Sequence, residues 1–323
     1  MDRRVAMAAI LMIGSAPRQP MAQALLPRVT VLLSGTATSD AARADTFGRA
    51  LRDLGYSQGQ NIAVEYTYAN GDVDRLDPLA AQVVSKVDVV VAAGSTASRA
   101  VRKASASIPI VMVFSGDPVA AGLVESLAHP GGNTTGLSLQ ATDLGAKQLE
   151  FLKRIVPRLS SVAVIGYSQA PSYRARMQEI DRASSVLGLR ILRIAVHDGA
   201  VINEAFAAIQ RSRAGAVLVL QSPPVVALQS QIAEFGLTAR LPTMYIDSEF
   251  TDLGGLASYG PDYAEMFKRS ATYVDKILRG VKPRDLPVEQ VERFELVINL
   301  KTAKRIGLQI PAAVLLQADR VIE

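Results

Sequence analysis

Gly94, Ser95 and Thr96 stand between an apolar run and a helical pattern, where a starting helix leaves backbone N–H groups free. A glycine there allows a sharp turn, and the positive end of the helix dipole then faces whatever lies ahead. Such a terminus suits a carboxylate or a phosphate. The same residue types also serve as plain N-caps, so this triplet alone leaves both roles open. Other apolar runs end alike, at Ser34, Gly35 and Thr36, at Ser115 and Asp117, and at Tyr167 and Ser168. Two more end at Ser222 and at Asp247 with Glu249. Each is also ordinary strand-to-helix turn chemistry, so the argument for a ligand site is carried by the set. Asp247 and Glu249 lie two apart, which on an extended segment puts both carboxylates on one side, within reach of a ligand ammonium. Aromatic residues make up only 5% of the chain, so Tyr167, Tyr173, Tyr245, Phe250 and Tyr259 near these edges include candidate pocket walls.

Much catalytic chemistry is excluded. There is no cysteine, and His129 and His197 are the only histidines, which removes Cys/His metal sites and most His-based catalysis. His129 precedes the turn cluster Pro130, Gly131, Gly132, and His197 precedes Asp198 and Gly199, so both read as loop residues. No Gly-x-Ser-x-Gly elbow and no phosphate-binding glycine loop occurs, and no cofactor or metal is expected.

The elements that must position the set follow from periodicity. Val29 to Leu33 is an apolar run, and Ala44, Phe47, Leu51 and Leu54 then repeat at helical spacing before Gly55. Strands are expected at 62–68, 87–93, 108–114 and 135–139, with helices between them. The same rhythm returns with strands at 162–165, 189–196, 216–220, 242–246 and 255–259. Alternating strands and helices imply parallel sheets with right-handed crossovers, in an α/β fold of two doubly wound lobes. A long helix over 262–278 and a last strand over 294–299 belong to neither repeat. The lobes are expected to comprise residues 25–140 plus 256–290 and residues 141–255 plus 291–323. In open parallel sheets ligands bind beyond the carboxyl ends of the strands, so facing edges would make one polar cleft.

The first 24 residues read as an export signal, with Arg3 and Arg4, an apolar stretch from Val5 to Ile13, and the small-x-small pair Ala22 and Ala24. Cleavage near Ala24 would release a monomeric periplasmic protein and lower its formal charge from +5 to +3. Without a Lys/Arg cluster this balance does not point to nucleic acid. Without cysteine there is neither a disulfide nor a lipid-anchoring thiol, and stability rests on core burial. Nearly half the residues, 49%, are apolar, enough for two cores.

Several stretches carry a family resemblance: 54–61 with Val64, Glu65 and Tyr66; Gly94 to Thr96; Ile108 to Val111 with Gly116, Asp117 and Pro118; Pro130 to Gly136; and 294–304 with Ile306, Gly307, Leu308 and Pro311. In these the chain resembles the substrate-binding proteins of ABC-type transport systems, in the group with tryptophan-binding relatives. The resemblance implies a type I periplasmic-binding-protein fold that closes on a small organic molecule, such as an amino acid or an aromatic or carboxylate compound. The partners it implies are an ABC permease and its ATPase. Gly94, Ser95 and Thr96 would take the ligand's carboxylate, and Asp247 or Glu249 its amine. Many relatives carry an Asn-Pro-x-Asn-like turn where this chain has 166–171, and an Asp-Pro-aromatic sequence where it has Ser222, Pro223 and Pro224, so the ligand stays open. A ligand-sensing module for a membrane receptor and an exported enzyme are the other readings.

Overall fold

In β1 (Arg28–Leu33) Val29, Val31 and Leu33 alternate with Thr30 and Leu32, yet all five are buried, because helices cover both faces of the sheet. The computed structural model describes residues 26–139, 144–170, 173–196, 202–291 and 293–323. The expected export signal and His197 lie outside the described residues.

The first lobe continues with α1 (Ala41–Asp53), β2 (Ala63–Tyr68), α2 (Leu76–Val84), β3 (Val89–Ala93), α3 (Gly94–Ala104), β4 (Ile110–Ser115) and β5 (Thr134–Ser138). The second lobe runs through α4 (Leu144–Ile155), β6 (Ser161–Gly166), α5 (Tyr173–Leu187), β7 (Arg190–Ala195), α6 (Ile202–Ser212) and β8 (Ala216–Val219). It goes on through α7 (Pro223–Ala227), α8 (Gln229–Thr238), β9 (Thr243–Tyr245), α9 (Ser248–Asp252) and β10 (Ala257–Pro261). Then follow α10 (Tyr263–Leu278), β11 (Glu289–Gln290), β12 (Phe294–Asn299), α11 (Leu300–Ile306), α12 (Ala312–Leu315) and β13 (Arg320–Ile322).

The first sheet has the order β11-β5-β4-β3-β1-β2 and is parallel throughout. Phe47 of α1 and Phe267 of α10 close one face over Val31 and Val91, while Leu76 of α2 and Val101 of α3 close the other over Leu32 and Val90. The second sheet has the order β13-β12-β10-β9-β8-β6-β7. Leu149 and Ile180 of α4 and α5 pack on its Val164 and Leu218, and Ile202 and Ile232 of α6 and α8 lie on the opposite face with Ile165 and Val219. In each lobe the second strand lies outside the first and the later strands on the other side, so the order reverses between β1 and β3 and between β6 and β8. Ligands settle at such switch points.

Three details differ from the expectations. The strand at 257–261 pairs with β9 and β12 in the second sheet, so the chain returns to the first lobe at Asp262 and not at 256. Asp262 starts that return by accepting the Glu265 N–H at 3.0 Å and capping α10, which lies against α1. Second, β12 is antiparallel to β10, which makes the second sheet mixed. The chain leaves β11 at the cleft edge of one lobe and enters the other lobe from its cleft edge, so it runs against the parallel strands. Third, β12 is followed by one more strand, β13, parallel to it.

Candidate ligand-binding site

The carboxyl ends of the two sheets face each other around a cavity of about 390 Å³. The loop after β1 supplies Ser34 and Gly35, the start of α3 supplies Gly94, Ser95 and Thr96, and the end of β4 supplies Phe114, Gly116 and Asp117. Across from them stand Arg176 and Glu179 of α5, with Gln221, Ser222 and Pro223 beyond β8.

Gly94 has a φ of 86°, a left-handed conformation that costs an L side chain about 1–2 kcal/mol. It opens α3 with no side chain capping the helix. Ser95 is engaged elsewhere: its Oγ accepts the Gly116 N–H at 3.0 Å and lies 3.0 Å from Ser115 Oγ, tying together the loops after β3 and β4. Phe114 has a φ of 45°, in a stretch where the β4–β5 register shifts between Met112 and Ser115. Such a backbone costs about 1–3 kcal/mol in a non-glycine residue, and here it turns an aromatic ring onto the cavity wall. The ring meets Tyr263 edge-on with centroids 5.1 Å apart.

Beneath the cavity lies a charged floor. Arg43 of α1, 3% exposed, donates to Asp40 of its own lobe and to Asp247 of the other, and Glu249 Oε2 is 3.3 Å from its Nη2. The Tyr263 ring stacks beside the guanidinium at 5.2 Å. Asp247 Oδ2 also accepts from Gln221 Nε2 at 3.0 Å, and the Tyr263 hydroxyl donates to Gln221 Oε1. One cation thus faces three carboxylates. Burial pushes Glu249 up to about 7; Arg43 opposes the rise, and Asp247 and Asp40 add to it. Burial likewise raises Asp40, against the pull of Arg43.

Of the residues singled out by sequence, Ser34, Gly35, Gly94, Ser95, Thr96, Asp117 and Ser222 line the cavity. Asp247 and Glu249 do not: they are committed to Arg43, and Asp247 Oδ1 caps α9 through the Glu249 N–H at 3.0 Å. Ser115 is buried against Ser95, and the Thr36 hydroxyl is held by Ser39 at 3.2 Å within its own loop. Tyr167 lines a neighbouring crevice with Asp74, Thr96 and Arg99, and Ser168 is exposed. Tyr173 packs against Gly166 under the sheet, Tyr259 lies 4.9 Å from Phe151, and Tyr245 stacks on Phe250 at 4.7 Å within the core. Membership of an edge was legible, but the direction of each side chain depends on loop conformation. Arg43, Phe114, Arg176 and Gln221 were not singled out. Arg43 had a signal, since it shares the helical stripe of Phe47, Ala50 and Leu51, where a lone arginine needs a partner.

Two α/β lobes of like strand order, meeting by loop-bearing edges around a cavity and joined by crossing segments, define the type I periplasmic-binding-protein fold. The chain belongs to the family described as ABC transporter substrate binding protein, whose model matches residues 28–322. It is 27% identical over 268 residues to a tyrosine-binding protein of Clostridioides difficile, covering 81% of this chain and 76% of that one. A conserved domain protein of Vibrio cholerae superposes with a TM-score of 0.83 at 27% identity, covering 92% of this chain and all of that one. An ABC domain from Streptococcus pneumonia in complex with L-Trp superposes with a TM-score of 0.84 at 24% identity, with the same coverage. The protein is therefore a substrate-binding component of ABC transport.

Proposed function

We propose that this protein is exported, works as a monomer outside the cytoplasm, and traps an aromatic amino acid or a related carboxylate between its lobes for an ABC permease and its ATPase. The observation that carries this is the cavity between the two sheet edges, whose volume of about 390 Å³ falls within the range of small-molecule sites. The uncapped start of α3 offers N–H groups to a carboxylate, and Phe114 offers a ring face to an aromatic side chain. The tyrosine-binding relative and the L-Trp complex support this choice of ligand. Closure on a solute needs no bond made or broken, only contacts to both lobes that favour the closed state.

Thermal-shift screening of purified protein against amino acids and aromatic acids tests the reading, because a ligand that binds only the folded state raises its melting temperature. Mass spectrometry before and after incubation should recover the bound compound unchanged. Conversion of that compound would replace capture with catalysis. A melting temperature unmoved by every aromatic amino acid would remove the proposed ligand class.

A further inference from the structure

Arg176 is a cavity-lining cation with a sealed nitrogen, Nη2, that meets no hydrogen-bond partner among the described residues. It lies on α5, one turn before Glu179, and both side chains line the cavity. Ser222 is in the same condition: 7% exposed, lining the same cavity, with an Oγ that meets no partner among the described residues. Arg43 is the contrast, since three carboxylates surround it. Glu179 lies close enough to act on Arg176, but its Oε1 accepts the Ala146 N–H at 2.9 Å. Burial draws the Arg176 guanidinium below its ordinary range, with Tyr263 and Glu179 opposing, and it stays charged at any physiological pH. A sealed guanidinium nitrogen and a buried hydroxyl without hydrogen-bond partners among the described residues both cost stability, and a ligand that supplied the missing acceptor would recover it.

We propose that Arg176, with Ser222, is the second lobe's anchor for a carboxylate on the ligand, so that the site selects acids over their amides and over the amines that lack the acid group. The inference rests on the capture reading above and narrows it. A guanidinium presents parallel N–H donors that match the two oxygens of a carboxylate. Arg176 and Ser222 of the second lobe line the same cavity as Gly94, Ser95 and Thr96 at the α3 terminus of the first. The carboxylate is thus approached from one lobe by helix N–H groups and from the other by a guanidinium. Closure then depends on the acid group itself.

The test uses calorimetry and thermal shift on the purified protein and its R176M, R176K and S222A variants. The probes are L-tyrosine, L-tryptophan, 3-phenylpropanoate, short aliphatic mono- and dicarboxylates, L-tyrosinamide, tyramine, glucose and inorganic phosphate. The wild type should respond to acids and not to tyrosinamide or tyramine. R176M should weaken acid binding about 10- to 100-fold, the worth of a charge-assisted hydrogen bond, while the free protein melts no lower than wild type. R176K should recover part of the loss, and S222A should lose less than R176M. Equal binding of acid and amide by the wild type, or R176M binding acids as the wild type does, would overturn the inference. So would a wild type that answers only to amide, amine, sugar or phosphate, an outcome that leaves capture standing. A wild type that answers to nothing in the panel counts against both. Should R176M fail to fold, the acid-to-amide comparison in wild type and the R176K result still decide.

Discussion

Arg43 on α1 of the first lobe and Asp247 at the start of α9 in the second form an ion pair across the lobe boundary with side chains only 3% and 1% exposed. They are 204 residues apart in sequence and meet because the lobes are closed on one another. Opening would return both to water, so their attraction is offset by hydration that closure gives up. The pair sets the geometry of the closed state more than its strength. It also explains why the two carboxylates expected to take a ligand amine do not reach the cavity.

Replacing that cation exposes the imbalance. R43M leaves Asp40, Asp247 and Glu249 without their shared partner, and breaking a buried pair from one side costs about 3–5 kcal/mol. The closed arrangement should lose that much relative to the open one. Small-angle scattering of free R43M should show a larger particle than wild type, and adding D247N should return much of the difference. A particle of wild-type size would contradict the assignment.

Glu249 should make the closed protein sensitive to pH. Its carboxyl is raised to about 7 in the fold against 4.5 ordinarily, so the folded state holds the proton more tightly. That contribution is complete below about pH 4.5 and is lost as pH rises through 7. The melting temperature of wild type relative to E249Q should therefore fall between pH 5 and pH 8. A constant difference across this window would show that Glu249 does not titrate there.

Closure should also be blocked without touching the cavity wall. A Cβ built on Gly71 of the first lobe would come 2.4 Å from the Ala227 Cβ of the second, so this contact has no room for added atoms. A227L adds bulk on the second-lobe side, where overpacking costs about 1–3 kcal/mol, and affinity should fall about tenfold or more. Small-angle scattering should also show free A227L as a larger particle than wild type, since the strain arises only in the closed arrangement. Titration calorimetry that finds unchanged affinity would show that the lobes approach elsewhere.

Gly94 should prove intolerant for two separable reasons. G94A must hold a φ of 86°, at about 1–2 kcal/mol, and its Cβ would sit 3.3 Å from Phe114 Cε2. Urea denaturation should report the first and ligand titration the second, through a displaced aromatic wall. T96A should weaken binding with an unchanged unfolding midpoint. If T96A bound ligand as wild type does, the α3 terminus would lose its place in the site.

The repeated order of strands and helices was legible because apolar periods of 2 and 3.6 are local, and so were the strand ends that carry Ser34, Gly94, Thr96 and Ser222 to a common edge. The helix over 263–278 showed its apolar stripe, though nothing local told that β10 just before it belongs to the other sheet. Which edge residues face the cavity was decided only when the lobes came together. Asp247 reads the same in sequence whether it meets a ligand amine or an arginine from 204 residues away, and packing chose the arginine. Phe114 reads as an ordinary strand residue until a left-handed backbone at the β4 bulge turns it onto the cavity. Arg176 is one of several arginines on α5, and burial of its Nη2 without a partner among the described residues distinguishes it. Periodicity records what one element buries; the partner of a charged side chain is a property of two elements and the angle between them.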